Sequence, residues 1–432
     1  MIYQEVSWLR SVGHKLDPLL RQQCLRWYRP ARYAPCFTQR LVRGFRTRWR
    51  RIPVIVQLES PPEAVTSLNL VAAAAGCKVK RELKLINAFA TDVNAAALRK
   101  LALNAEVSKI YYDGEVKAVL DTASPTVGAP ALWGNGLTGR GVGIAILDTG
   151  IYNHPDLARR IVGFKDFIAN KEQAYDDNGH GTHVAGDAAG NGSQSDGFYR
   201  APAPEAVLVG VKVLNKVGSG SLSTVIAGVE WCLNHREKLG IRVINLSLGS
   251  EARLSHREDP VCQAVEAVWQ AGLVVCVAAG NSGPEPRTVN SPGTSPLVIT
   301  VGASDDAGTP GTGDDTIASF SSRGPTPDGL TKPDLVAPGV NVVSLRSPGS
   351  FLDKQAKQGR VGQWYTSLSG TSMATPVCAG VVAQLLQLNN SLSPDEIKSI
   401  LMSSARDLGL DPNTQGSGLV NAEEAAVEAA VP

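Results

Sequence analysis

Three short stretches of this chain carry side chains able to do nucleophilic chemistry. LSGTSMATPVCAGVVAQLLQL (368–388) is a glycine-containing turn running into an apolar helix, with Ser372 where turn becomes helix. Backbone N–H groups of a first helical turn have no intrahelical partner and can face a developing oxyanion. Gly370 and Ala374 are small enough to let a substrate carbonyl approach. Most serines at such a place only cap the helix, so a nucleophile needs a base and an orienting acid elsewhere. Asp148 ends the apolar run GVGIAILDTG (141–150), and His180 lies in NGHGTHVAG (178–186). An imidazole titrates near neutrality and can take a hydroxyl proton and return it to a leaving amine. A carboxylate on its other ring nitrogen fixes the tautomer and stabilises the imidazolium. His183, three residues later, is the competing base.

The motifs DTG, HGTH and GTSMATP, in that order, resemble those of the subtilisin-type serine proteases (subtilases). AAGNSG (278–283) is similar to the family's oxyanion segment. Within the family the chain is most similar to the leaderless AprX-type bacterial subtilases. The resemblance implies catalytic roles for Asp148, His180 and Ser372, with Asn281 and the Ser372 N–H binding the oxyanion and His183 structural. It further implies a serine endopeptidase acting on polypeptides through an acyl-enzyme, with no cofactor needed for the chemistry. Substrate would lie as an extended strand between Gly218 and Gly220 of KVLNKVGSGS and Ser247, Leu248 and Gly249 of SLGS. Ala278, Ala279 and Gly280 would help wall the primary specificity pocket, which small walls leave open to a large apolar side chain. Ser291-Pro292 falls where relatives have a cis proline. A structural calcium would rest on Asp156, although AAGNGSQSDGFY differs in length from the family's calcium loop and 121–135 offers no glutamine counterpart. Two other classes compete: a catalytically silent binding protein of the same fold, and a serine esterase. The complete set of four residues speaks against the first. The absence of a G-x-S-x-G elbow around Ser372 speaks against the second.

The elements that must position these residues alternate as α/β folds require. Near-continuous apolar runs at 142–148, 206–213, 242–248, 273–279 and 297–302 predict parallel strands covered on both faces. Helices are predicted at 180–190, 221–238, 259–271, 371–388 and 394–405, the last with Ser393, Pro394 and Glu396 as a capping box. The three catalytic candidates then fall at strand ends and helix starts, where open α/β sheets build their sites. The expected catalytic domain is 121–432, a subtilisin-like parallel sheet with helices on both faces.

Upstream, 52–113 reads β-α-β-β-α-β, a ferredoxin-like α+β order. Its place before the catalytic domain resembles the family's propeptide, implying that 51–120 is an intramolecular inhibitor. GEVKAVLDTASP (114–125) would be the tail in the cleft, with self-cleavage near Leu120–Asp121. Residues 1–50 are expected to form a basic extension with an amphipathic helix over about 4–28, from the spacing of Val6, Leu9, Leu16, Leu20, Cys24 and Trp27.

The net charge of +2 conceals an asymmetry: 1–51 carry +10, and the remaining chain −8. No nucleic-acid motif accompanies the basic arm, so a solvated helix against the chain's own acidic remainder is the favoured reading over nucleic acid or membrane. No apolar run approaches the ~18 residues of a membrane span. Seven scattered cysteines, without close pairs or a secretory leader, predict free thiols in a reducing, cytoplasmic setting.

Overall fold

The computed structural model describes residues 7–16, 18–28, 39–59, 65–83, 88–112 and 123–430. They form two compact units, Met1–Lys117 and Ala118–Pro432. The expected processing bond at 120–121 lies outside the described residues.

In the first unit, helices α1 (Ser7–Ser11), α2 (Pro18–Tyr28) and α3 (Gln39–Trp49) precede a βαββαβ segment. Its elements are β1 (Ile52–Leu58), α4 (Val65–Ala75), β2 (Arg81–Leu83), β3 (Ala88–Val93), α5 (Ala95–Leu103) and β4 (Val107–Tyr112). The four strands form an antiparallel sheet in the order β2-β3-β1-β4, as a ferredoxin-like topology has it. Alternation along β1 is clean, with Ile52, Val54, Val56 and Leu58 inward. Asn94 caps α5 through a bond from the Ala97 N–H at 2.9 Å.

Two sequence expectations for the N-terminus need correction. The single helix over 4–28 is broken: Gly13 and Pro18 punctuate it, and between α1 and α2 the chain bonds to the sheet edge, Ile110 N–H donating to Lys15 O at 2.8 Å. Nor is 1–50 a separate extension, because its apolar side chains are part of the sheet's own core. Leu16, Leu20, Cys24 and Trp27 are buried together with Val54, Val56, Phe89 and Ile110, in one continuous cluster. The helical spacing was therefore real, but it marks a core face of the first unit.

The second unit is built on an eight-stranded sheet. Its strands are β5 (Gly143–Asp148), β6 (Ile161–Asp166), β7 (Val207–Lys212), β8 (Ile241–Leu246), β9 (Val274–Ala278), β10 (Ile299–Asp305), β11 (Thr316–Ile317) and β12 (Leu335–Pro338). The order runs β6-β7-β5-β8-β9-β10, with β12 and β11 both on the outer side of β10, and every pairing is parallel except β10 with β11. A small antiparallel sheet, β13 (Val342–Leu345), β14 (Arg360–Val361) and β15 (Tyr365–Leu368), lies outside it. The helices that matter below are α6 (His180–Ala189), α7 (Leu222–Leu239), α8 (Pro260–Gln270), α9 (Phe351–Gln355), α10 (Thr371–Leu388) and α11 (Pro394–Ser403), whose capping box is formed as predicted.

Strands β5 and β9 are buried at every position, as the unbroken apolar runs require. Strands β6 and β11 to β15 are not among the predicted runs: β11 to β15 are only two to four residues long, and β6 is interrupted by Gly163 and ends on Lys165 and Asp166. α10 is long and apolar enough to span one by length and composition, but 83% of it is buried inside the protein, so its apolar surface belongs to the core.

Because Trp27 is fully buried and its indole N–H donates to Arg50 O at 3.1 Å, Trp27→Ala should cost the first unit ~3–5 kcal/mol. Hydrogen exchange of β1 and β4 amides in the full chain measures it; unchanged protection there would contradict the shared core.

Candidate active site

Asp148 is the last residue of β5, at the carboxyl edge of the sheet, and is completely buried. A buried carboxylate needs donors. Its Oδ1 accepts from the Thr149 N–H at 2.7 Å, and both oxygens lie against His180 Nδ1, at 2.8 and 2.9 Å. His180 opens α6, and two glycines let the strand end and the helix start meet. A Cβ on Gly150 would sit 2.1 Å from Tyr175 O, and one on Gly181 would sit 2.2 Å from Gly150 O. The glycines of DTG and HGTH are thus packing requirements of the pair itself.

A second carboxylate, unremarked in the sequence, fixes the entry to α6. Buried Asp176 accepts from the N–H groups of Asn178, Gly179 and Thr182 at 3.1, 2.8 and 2.9 Å, and from the hydroxyls of Thr182 and Thr149 at 2.7 and 2.9 Å. It anchors the orphan donors of the helix start and the Asp148 turn at once. Lys212, at the end of β7 and paired with Asp148 across the sheet, is also buried. Its ammonium donates to Thr149 O, Leu214 O and Asp177 Oδ1. The signals for both were present in DDNGH and KVL, but nothing in the sequence said that the two segments meet.

For His180, burial opposes the charged form, but attraction to Asp148 and the hydrogen bond between them prevail, with Asp176 and Asp187 adding to them. The imidazole is consequently more basic than an ordinary histidine. His183 is not available as a base: it is buried, with Nδ1 on Asp187 Oδ2 at 2.9 Å and Nε2 against Val342 O and Thr366 O at 3.0 and 3.1 Å.

Ser372 is the second residue of α10, so its N–H lacks an intrahelical acceptor. Its hydroxyl donates to Ser247 O at 3.1 Å, while Ser247 Oγ donates back to Ser372 O at 2.8 Å. The hydroxyl is thus turned to Ser247. Asn281 is held by its carbonyl oxygen, which accepts from the Thr371 N–H and hydroxyl at 2.9 and 3.0 Å. That leaves Nδ2 as donor. A Cβ on Gly370 would lie 3.4 Å from Asn281 Nδ2 and 3.7 Å from Ser372 N, so both donors flank a space that the missing side chain keeps open. Met373 beside them is buried, and the Ser291–Pro292 bond is cis.

A cleft of about 500 Å³ runs past His180. Of the predicted substrate residues, Gly218, Gly220, Ser247, Leu248 and Gly249 line it. Ser219 is tied to Asn215 at both N–H and carbonyl, which shapes the loop and leaves Gly220 facing the cleft. Ala278, Ala279 and Gly280 are not part of this cleft. The two alanines are buried, and the segment's backbone bonds to Val301, Asn290, Ser322 and the Thr371 hydroxyl. Their immediate effect is to place Asn281.

The calcium expected at Asp156 does not fit. Its Oδ1 accepts from the Ser193 hydroxyl at 2.9 Å and the Gln194 N–H at 3.0 Å, and Oδ2 from the Tyr365 hydroxyl at 2.7 Å. A calcium cage presents oxygen lone pairs, whereas Asp156 is surrounded by donors. The positive charge beside it is Arg160, which donates to Asp156 O. Burial lowers this guanidinium to about 10, against the pull of Asp156 and Glu205. Among the described residues, no three His, Cys, Asp or Glu side chains gather elsewhere as a metal cluster. Tyr365→Phe should leave a buried carboxylate oxygen unpaired and cost ~1–3 kcal/mol. Denaturant unfolding of the Ser372→Ala protein measures this loss, and added calcium should not restore it.

Comparison with known proteins agrees with this geometry. A profile described as the Subtilase family matches residues 139–419. Serine protease AprX of Bacillus subtilis (strain 168) is 48% identical over 433 residues, covering 98% of each chain. Subtilisin Savinase of Lederbergia lenta is 43% identical over 299 residues, 69% of this chain and 96% of its own. The crystal structure of a cold-adapted subtilisin-like serine proteinase superposes with a TM-score of 0.51 at 33% identity, covering 66% of this chain and 90% of that one. With a buried Asp–His pair, a serine at a helix start and this likeness over nearly its whole length, the chain belongs to the subtilase family and is a serine protease.

Proposed function

We propose that the protein is an endopeptidase in which Ser372 attacks the scissile carbonyl, His180 moves the proton and Asp148 orients the imidazole. The observation that carries the reading is the Asp148–His180 pair, whose imidazole is basic and fixed in tautomer, opening into the cleft lined by Ser247. For attack, the Ser372 hydroxyl leaves Ser247 O by rotation about χ1 and donates to the free ring nitrogen of His180. The carbonyl oxygen moves between Asn281 Nδ2 and the Ser372 N–H, where each such donor is worth ~3–4 kcal/mol in the transition state. Collapse of the tetrahedral intermediate gives the acyl-enzyme as the imidazolium protonates the leaving amine. Water, deprotonated by the same base, then frees the serine.

Substrate lies as a strand between two backbone edges. Among the described residues, the N–H and carbonyl groups of Gly220 on one side, and of Leu248 and Gly249 on the other, form no hydrogen bond, which suits pairing with an extended peptide. The first unit acts as an intramolecular inhibitor, and the chain is made as a precursor cleaved in the segment between the two units. What supports this is the ferredoxin-like sheet placed directly ahead of the catalytic unit. We place its work in a reducing, cytoplasmic compartment, because the six described cysteines are free and buried.

Ser372→Ala should accumulate the uncleaved chain and abolish both casein hydrolysis and labelling by a fluorophosphonate; maturation of the purified variant would refute the nucleophile. The proton acceptor must be neutral, and its basicity is raised. Activity should therefore be full above that raised value and fall as pH drops through it, with the acid limb of kcat/KM centred above the ordinary ~6.5 of histidine. A pH–rate profile on a peptide anilide locates the limb, and a midpoint below 6.5 would contradict the Asp148 assignment.

A further inference from the structure

Residues 346–361 build a structure that the proton transfers do not require. After β13 the chain turns at Ser347-Pro348-Gly349, forms α9 and returns through β14. Asp353 clamps this excursion from inside. Its Oδ1 accepts from Arg346 Nε at 2.5 Å and Arg360 Nε at 2.7 Å, and its Oδ2 from Arg346 Nη2 at 3.1 Å and the Gly349 N–H at 2.8 Å. The Arg346 bonds, joined by Gly349 and Arg360, hold this carboxyl at about 2 against its burial, so the clamp stays charged at any working pH.

From outside, the same excursion is tied to the segment leading into His180. Phe351 N–H donates to Asp177 O at 2.9 Å, Leu352 N–H to Asn178 O at 2.8 Å, and the Ser347 hydroxyl to Asp176 O at 2.8 Å. The approach is close enough that a Cβ on Gly179 would be 2.6 Å from Ser350 Oγ. α9 is thereby fixed at both ends of its reach. It delivers one apolar side chain, Leu352, to the lining of the catalytic cleft, which also includes Asn178, His180 and Leu214.

Which substrate residue meets Leu352 follows from strand geometry. Side chains of an extended peptide alternate between faces. The residue that supplies the scissile carbonyl turns to one face, and its N-terminal neighbour to the other. The residue two further back shares the neighbour's face, about 6.6 Å along the strand. The cleft has lining for both. Asn178, Leu214 and Leu352 line it next to the catalytic pair, since His180 N–H donates to Asn178 Oδ1, Leu352 N–H to Asn178 O and Leu214 N–H to Asp148 O. Leu222 and Val225, which follow Gly220 in the chain, line it with Leu248 and Val261.

We propose that Leu352 is a specificity-determining residue that walls the subsite for the substrate residue immediately N-terminal to the one giving the scissile carbonyl. The wall makes that subsite select a compact apolar side chain, such as alanine or valine, over a large aromatic one. This inference rests on the strand placement proposed above and adds the side-chain preference at one position.

The test is a set of tetrapeptide anilides varied only at that position, with kcat/KM read as the phenylalanine-to-alanine ratio. Leu352→Ala should raise the ratio about tenfold, the scale of a gained apolar pocket, and Leu352→Phe should lower it. Selectivity at the residue two further back should stay unchanged in both variants. A purely structural role for Leu352 would not give opposite signs, and ratios normalise out any loss of folded enzyme. Ratios within twofold of wild type in both variants, or a shift in the same direction in both, would overturn the proposal. Leu222→Ala, read at the position two further back, separates the two possible failures. If it alters selectivity there while the Leu352 variants alter nothing, only the wall is refuted; if neither site responds, the strand placement falls with it.

Discussion

The catalytic unit depends on one buried carboxylate being satisfied by a histidine from another element. Asp148 has no exposure to water, and an ionised acid in that position is costly unless paired and hydrogen-bonded. Its pairing with His180 fixes the register of the strand end against the helix start, which explains why Gly150 and Gly181 have no room for a Cβ. The same pairing makes the imidazole more basic, so the contact that solves a folding problem also tunes the proposed proton acceptor. Asp176 and Lys212 extend the principle one layer outward, each binding two segments of the site together through hydrogen bonds.

The serine side is organised by different means. Among the described residues nothing charged holds Ser372; its place is set by the burial of α10, which lines much of the second unit's core. The exchange of bonds between Ser372 and Ser247 joins the proposed nucleophile to one edge of the cleft, and the Thr371–Asn281 bonds join it to the proposed oxyanion donor. A substrate peptide that pairs with the Leu248–Gly249 edge is therefore referenced to the nucleophile through a single intervening serine. This rigid linkage suits a reaction in which small misplacements of reacting atoms are expensive.

At two carboxylates away from the Asp148–His180 pair, charge is satisfied internally. Around Asp156, hydroxyl and amide donors with Arg160 nearby occupy the role that a cation would have. Around Asp353, two arginines turn a surface excursion into a fixed wall of the cleft. In both places a carboxylate from one segment recruits donors from others, and the geometry of a loop becomes as definite as that of a sheet.

The sequence by itself determined the chemistry and the elements that carry it. Asp148, His180, Asn281 and Ser372 stood in motifs whose neighbours are packing necessities, and β5, β7, β8, β9, α6, α7 and α10 announced themselves through unbroken apolar runs or caps. Those features are local, so they are written in contiguous residues. What only the tertiary structure decided involves partners far apart in the chain. The donors that satisfy Asp156 come from residues 193–194 and 365, and Leu352 reaches the cleft that His180 lines from a segment far along the chain. The helical face of 8–28 could be read as apolar, but that it completes the core of the sheet at 52–112 is a fact of long-range packing. A hydrogen bond between distant segments leaves no period and no spacing in the sequence, because its energy depends on where the fold has already placed both ends.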